Sequence, residues 1–96
     1  MHVSLPEMIR QRLSGFSEID KIVIFGSFAE KGMQAGDIDI AVIQHSDEDY
    51  LTLAMRYRKA LRDVITRMAM DVLPIKNGTE GAFLKEIEKG KIIYER

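Results

Sequence analysis

The chain has 96 residues, 46% of them hydrophobic and 30% charged, with 14 basic side chains against 15 acidic ones and a formal net charge of -1. That length suits one domain with a single modest core, here taken as residues 1–96. The balanced charge gives no global attraction to nucleic acid, so direct nucleic-acid binding is not expected. The absence of cysteine excludes disulfides, thiolate metal sites and a cysteine nucleophile. No apolar leader and no membrane-length run is present, so a cytoplasmic protein with no membrane contact is expected.

In chain order, Ser4-Leu5-Pro6-Glu7 opens a helix, with serine as cap, proline in the first turn and glutamate completing a capping box. Met8, Ile9 and Leu13 fall on its buried side, and Gly15 is placed to end it in the left-handed conformation. Lys21 to Phe25 is apolar and β-branched, which predicts a buried strand. Phe28 to Gly36 predicts a short helix and a turn, punctuated by Gly32 and Gly36. Asp37 to Ile43 alternates as a second strand, with Ile38, Ile40 and Val42 buried on one face and Asp37, Asp39 and Ala41 on the other. Ser46-Asp47-Glu48-Asp49 starts the longest helix, read to about Arg67, with Leu51, Ala54, Met55, Leu61, Ile65 and Met68 at apolar spacing. Its basic residues Arg56, Arg58, Lys59, Arg62 and Arg67 form either a solvated face or a docking face for an acidic partner or for RNA bound by that partner. Met70 to Ile75 predicts a third strand with Asp71 and Leu73 on one face, and Pro74 belongs at an edge. Asn77-Gly78 is a turn. Thr79 to Lys89 is a last helix with Ala82, Phe83 and Ile87 inward and Gly90 as its cap, before an extended tail, Lys91 to Arg96. The six methionines are read as core filler, and the isolated His2 and His45 lack the neighbours of a zinc site.

The segment Lys21 to Ile43 carries the chemistry. Gly26 has no Cβ to obstruct a ligand, and Ser27 presents a hydroxyl and an N–H where a helical turn begins, an arrangement that attracts phosphate. Asp37 and Asp39 point to one face and repel each other unless a cation lies between them; such hard oxygen donors suit Mg²⁺, which usually also takes phosphate oxygens. A phosphate-cradling turn beside a carboxylate pair implies metal-assisted nucleotide chemistry. Taken alone, an Asp-x-Asp beside a glycine is equally a turn with capping acids.

Gly26-Ser27, a short spacer and Asp37-Ile38-Asp39 together resemble the signature of the nucleotidyltransferase superfamily typified by DNA polymerase beta. The short chain and its tail FLKEIEKGKIIYER are similar to the minimal nucleotidyltransferase (MNT) branch, many of whose members are antitoxins of HEPN–MNT toxin–antitoxin pairs. The resemblance runs from about Ile19 to the C-terminus. It implies an α/β (α+β) fold, a small mixed sheet of three to four strands flanked by helices. It also implies Asp71 as the third acidic position beside Asp37 and Asp39; a lone strand acid could instead pair with Lys or Arg. Two Mg²⁺ ions, ATP as substrate and a cognate HEPN ribonuclease as partner follow from the same resemblance, with AMP passing to a tyrosine of that partner and any oligomer built through it.

One departure stands out: Phe28 and Glu30 occupy positions where the family often has arginines, which leaves Lys31 as the nearby cation for a nucleotide. Two other functions fit the residues. The protein could neutralise its partner by binding alone, or act on a small molecule or an RNA. A 96-residue core has little surface for a private acceptor site, so the partner is expected to complete it.

Overall fold

The computed structural model describes residues 3–96; His2 lies outside the described residues. The elements are α1 (Leu5–Leu13), β1 (Ile19–Phe25), α2 (Ser27–Lys31) running into a 3-10 turn (Gly32–Gln34), β2 (Asp37–Gln44), α3 (Tyr50–Ala60), α4 (Arg62–Ile65), β3 (Ala69–Lys76), α5 (Ala82–Glu88) and β4 (Lys91–Glu95). The tail does form a fourth strand, and the sheet order is β3-β2-β1-β4. β1 pairs antiparallel with both β2 and β4, whereas β2 and β3 run parallel, joined by the α3–α4 crossover. The result is the small mixed α/β sheet that the family resemblance implies.

Strand periodicity sorts side chains to the two faces of the sheet. Ile22, Ile24, Ile38, Ile40, Val42, Met70 and Val72 turn to the larger core, where α1 supplies Leu5, Ile9 and Leu13 and the crossover supplies Leu53, Tyr57, Leu61 and Val64. The opposite face carries a smaller cluster of Val23, Phe25, Ala41 and the α5 residue Ile87. No helix is long and apolar enough to cross a membrane among the described residues.

Several local expectations are corrected. Ser4 caps α1 through the Glu7 amide as expected, but Ser14 ends the helix in right-handed backbone and Gly15 is not left-handed. The longest helix starts later than Ser46: Asp49 is its cap, accepting from the Thr52 amide at 2.8 Å, while Ser46 closes a separate turn onto Glu48. That shift rotates the buried side. Leu51 and Met55 are 66% and 62% exposed, whereas Leu53, Ala54 and Tyr57 face inward. The helix is interrupted at Leu61, whose backbone leaves the helical region before α4.

The last helix begins at Ala82 rather than Thr79, and Ala82 and Phe83 are exposed. In the tail strand Ile93 packs on the core, while Ile92 is exposed. Of the methionines, Met33 and Met55 stand out in solvent instead of filling the interior.

Candidate active site

The parallel register of β2 and β3 aligns Asp39 with Asp71 and Asp37 with Ala69. Partners in adjacent strands project from the same face, so Asp37, Asp39 and Asp71 converge where β2 and β3 begin. One carboxylate oxygen from each lies within 4.8 Å of the other two. Asp37 and Asp39 are half-buried and Asp71 is exposed. Among the described residues no lysine, arginine or histidine forms an ion pair with any of them. Burial first, then the charges of Asp37 and Asp71, pushes the Asp39 carboxyl above its ordinary value of 3.8. Clustered carboxylates without a protein cation fit a divalent metal, which would offset their repulsion and draw on hard oxygen donors.

On the β1 side, Phe25 pairs with Asp39 and the chain turns at Gly26 into α2. Gly26 has φ 74° and ψ -153°, a conformation open mainly to glycine. A Cβ there would lie 2.7 Å from Asp39 Oδ2. Gly26→Ala is therefore expected to strain the turn by about 1–2 kcal/mol and to displace the Asp39 carboxylate. Because that carboxylate is a flexible end that gives way, nucleotide affinity should fall about tenfold or more while the thermal midpoint drops only modestly. Calorimetric titration with ATP and a melting curve on the same variant check both halves.

Ser27, half-buried, opens α2, and no side chain caps that end. Lys31 is exposed at the far end of α2 and does not line the cleft over the carboxylates. Phe28 turns inward at 8% exposure and belongs to the larger core, so it presents nothing to a phosphate; Glu30 faces solvent.

The cleft itself, about 370 Å³, is lined by Asp39 and Asp71 together with Phe25, Tyr50, Arg58 and Phe83. Phe83 stands edge-on to Phe25 with ring centroids 5.8 Å apart. Arg58 donates from Nη1 to the Met70 carbonyl at 3.0 Å, which holds a guanidinium in the cleft that Asp71 also lines, without an ion pair between them. From the sequence, Arg58 belongs to a general basic face of the long helix. The available signal was the four-residue stripe Tyr50, Ala54, Arg58, a common side of α3.

A mixed sheet that sets a glycine turn against a row of strand-borne carboxylates is the architecture of a nucleotidyltransferase domain. Residues 7–96 match the family described as Polymerase beta, Nucleotidyltransferase, and the chain belongs to that family. No curated protein matches the chain by sequence.

Among solved structures, a toxin–antitoxin complex with AMP-PNP aligns at TM-score 0.67 and 21% identity over 95% of this chain and 73% of that one. A complex of the tri-AMPylated Shewanella oneidensis HEPN toxin with MNT antitoxin aligns at TM-score 0.59 and 21% identity, covering 96% of this chain and 71% of that chain. The toxin–antitoxin pair MntA-HepT aligns at TM-score 0.56 and 20% identity, covering 96% and 71%. At such identities the shared property is the fold.

Proposed function

We propose that this protein is a Mg²⁺-dependent AMP transferase that modifies a tyrosine of a cognate HEPN-type toxin and so acts as its antitoxin. The observation that carries the reading is the convergence of Asp37, Asp39 and Asp71 beside the Gly26 turn. Three carboxylates held this close cost stability by mutual repulsion, an arrangement that a metal-and-phosphate site explains and a purely docking protein does not. Solved structures of similar fold that include a tri-AMPylated HEPN toxin and an AMP-PNP complex support this choice of acceptor and nucleotide.

In this reading Asp37, Asp39 and Asp71 hold the divalent metal, and Gly26 and Ser27 admit the distal phosphates, with Lys31 available to the outer charge. Bound there, the metal supplies neutralisation of phosphate charge. Asp71, exposed at the open side, accepts the proton of the tyrosine hydroxyl. The phenolic oxygen then bonds to the α-phosphorus of ATP, the bond from that phosphorus to the β-bridging oxygen breaks, and pyrophosphate leaves. The protein contributes position and electrostatics rather than covalent chemistry.

The test is label transfer from ATP labelled at the α-phosphate, in host extract with Mg²⁺, comparing wild type with Asp39→Asn. A labelled protein band that requires the metal and disappears in the variant is expected. Label appearing on RNA or a small molecule instead would move the acceptor class, and no label beside an intact complex with the partner would leave neutralisation by docking alone.

A further inference from the structure

The outer side of the α3–α4 crossover carries a groove that the carboxylate cleft does not account for. It is an open depression of about 760 Å³ with Met55 and Ile65 as its apolar floor and Arg56, Arg58, Lys59 and Arg62 around it. Residues 56–67 hold five basic side chains against one acid, Asp63, in a chain whose overall charge is -1. Asp63 is tied to Arg12 at 2.7 Å, and Arg56 is held by Glu48 and Glu18. Among the described residues, Lys59 and Arg62 pair with no carboxylate. The positive charge is thus local, partly uncompensated and set around the exposed Met55 and the half-buried Ile65.

We infer that this groove docks an acidic amphipathic helix of the protein acceptor and delivers its hydroxyl to the carboxylate cleft. The inference rests on the AMP transferase reading and adds to it the surface on which the acceptor lies. Charge complementarity selects the occupant: a helix with carboxylates flanking an apolar stripe meets Lys59 and Arg62 while covering Met55 and Ile65. RNA is the poorer fit, because single strands bind by stacking on aromatic rings and none of the residues lining the groove is aromatic. Arg58 connects the two features, since it lines the groove and also the cleft that holds Asp39 and Asp71. An acceptor seated on α3–α4 is therefore next to the reacting carboxylates.

The double variant Lys59→Glu, Arg62→Glu tests the surface, since both side chains are exposed and remote from the fold's core. Its affinity for ATP with Mg²⁺ is expected to stay within about twofold of wild type, while label transfer to protein in host extract falls at least about tenfold. Unchanged transfer would overturn the docking surface and leave the AMP transferase reading standing.

The surface is also read without catalysis, by NMR titration of the isotope-labelled chain with a synthetic Glu/Leu amphipathic peptide about four turns long. Shifts confined to Thr52, Met55, Lys59, Arg62 and their neighbours, absent in the double variant, support the inference even if wild type transfers no label. Shifts elsewhere, no shifts, or a response to oligoadenylate RNA in place of the peptide would overturn it.

Discussion

On the proposed activity, Asp39→Asn is expected to cut AMP transfer severely and, in metal-free buffer, to make the protein more stable. The two effects have one cause. Asp39 is half-buried between Asp37 and Asp71, and its carboxyl is pushed up by burial and then by those two charges. A carboxyl whose folded-state pKa is raised binds its proton more tightly in the fold than in the unfolded chain. Stability therefore falls as pH rises through that folded value, and at neutral pH the ionised Asp39 opposes folding. Asparagine keeps the shape and removes the charge.

With solvent screening of the open site, the relief is about 1 kcal/mol, or about 4–8 °C in Tm for a chain of this size. The advantage should vanish below the ordinary carboxylate range, where Asp39 in the wild type is protonated as well. Mg²⁺ should raise the Tm of wild type and leave the variant nearly unmoved, because the metal has lost a ligand. Transfer should fall on the order of 10³-fold. Melting curves at several pH values, with and without Mg²⁺, check the stability half; a variant less stable than wild type in chelator would show that the carboxylates are not in mutual repulsion.

Strand faces were the legible part of this sequence, because a period of two leaves no choice; that Asp71 joins Asp37 and Asp39 came from the family resemblance. Once Ile38, Ile40 and Val42 are buried, Asp37 and Asp39 must project oppositely, and Asp71 follows from Met70 and Val72 in the same way. The helix faces were harder. On α3, Leu51 and Met55 satisfy helical spacing as well as Leu53, Tyr57 and Leu61 do, so the apolar pattern supports two stripes. Burial chose the second, with Tyr57 placing its ring in the core and donating its hydroxyl to Glu18 at 2.9 Å.

The stripe that carries Arg58 could not by itself place it at the cleft, for a related reason: which side of the crossover meets β3 depends on how the two parallel strands are bridged. The hydrogen bond to the Met70 carbonyl is a product of that topology. Lys31 shows a limit of the opposite kind: its closeness in sequence to Ser27 suggested a cation at the phosphate turn, and α2 sets it at the other end of that short helix from Ser27.

Gly90→Ala is expected to be the most destabilising single-methyl change, although the residue follows a helix where glycine commonly serves as a left-handed cap. Here it has no such role: Gly90 is outside the positive-φ set, and α5 closes at Lys89 in right-handed backbone. Its need for glycine comes from β1. A Cβ on Gly90 would lie 2.3 Å from the Ile24 carbonyl oxygen and 2.9 Å from both Phe25 Cβ and a Val23 methyl. Two of these are parts of a central strand that cannot swing aside, unlike the Asp39 carboxylate facing Gly26. Relief requires β4 to move away from β1, next to the Ile24–Lys91 pair, or β1 itself to shift.

The cost is about 3 kcal/mol, with Tm lower by on the order of 10–20 °C. Because Phe25 pairs with Asp39, strain on β1 also reaches the carboxylates, so transfer should decline along with stability. Gly15→Ala is the matched control: it has nothing within 4 Å of its Cβ position and no left-handed backbone. That change should leave stability unchanged or raise it by about 0.4–1 kcal/mol through the unfolded chain. Urea unfolding of the two variants separates the explanations, since equal behaviour would mean that the glycine at position 90 serves the turn and not the packing of β4 against β1.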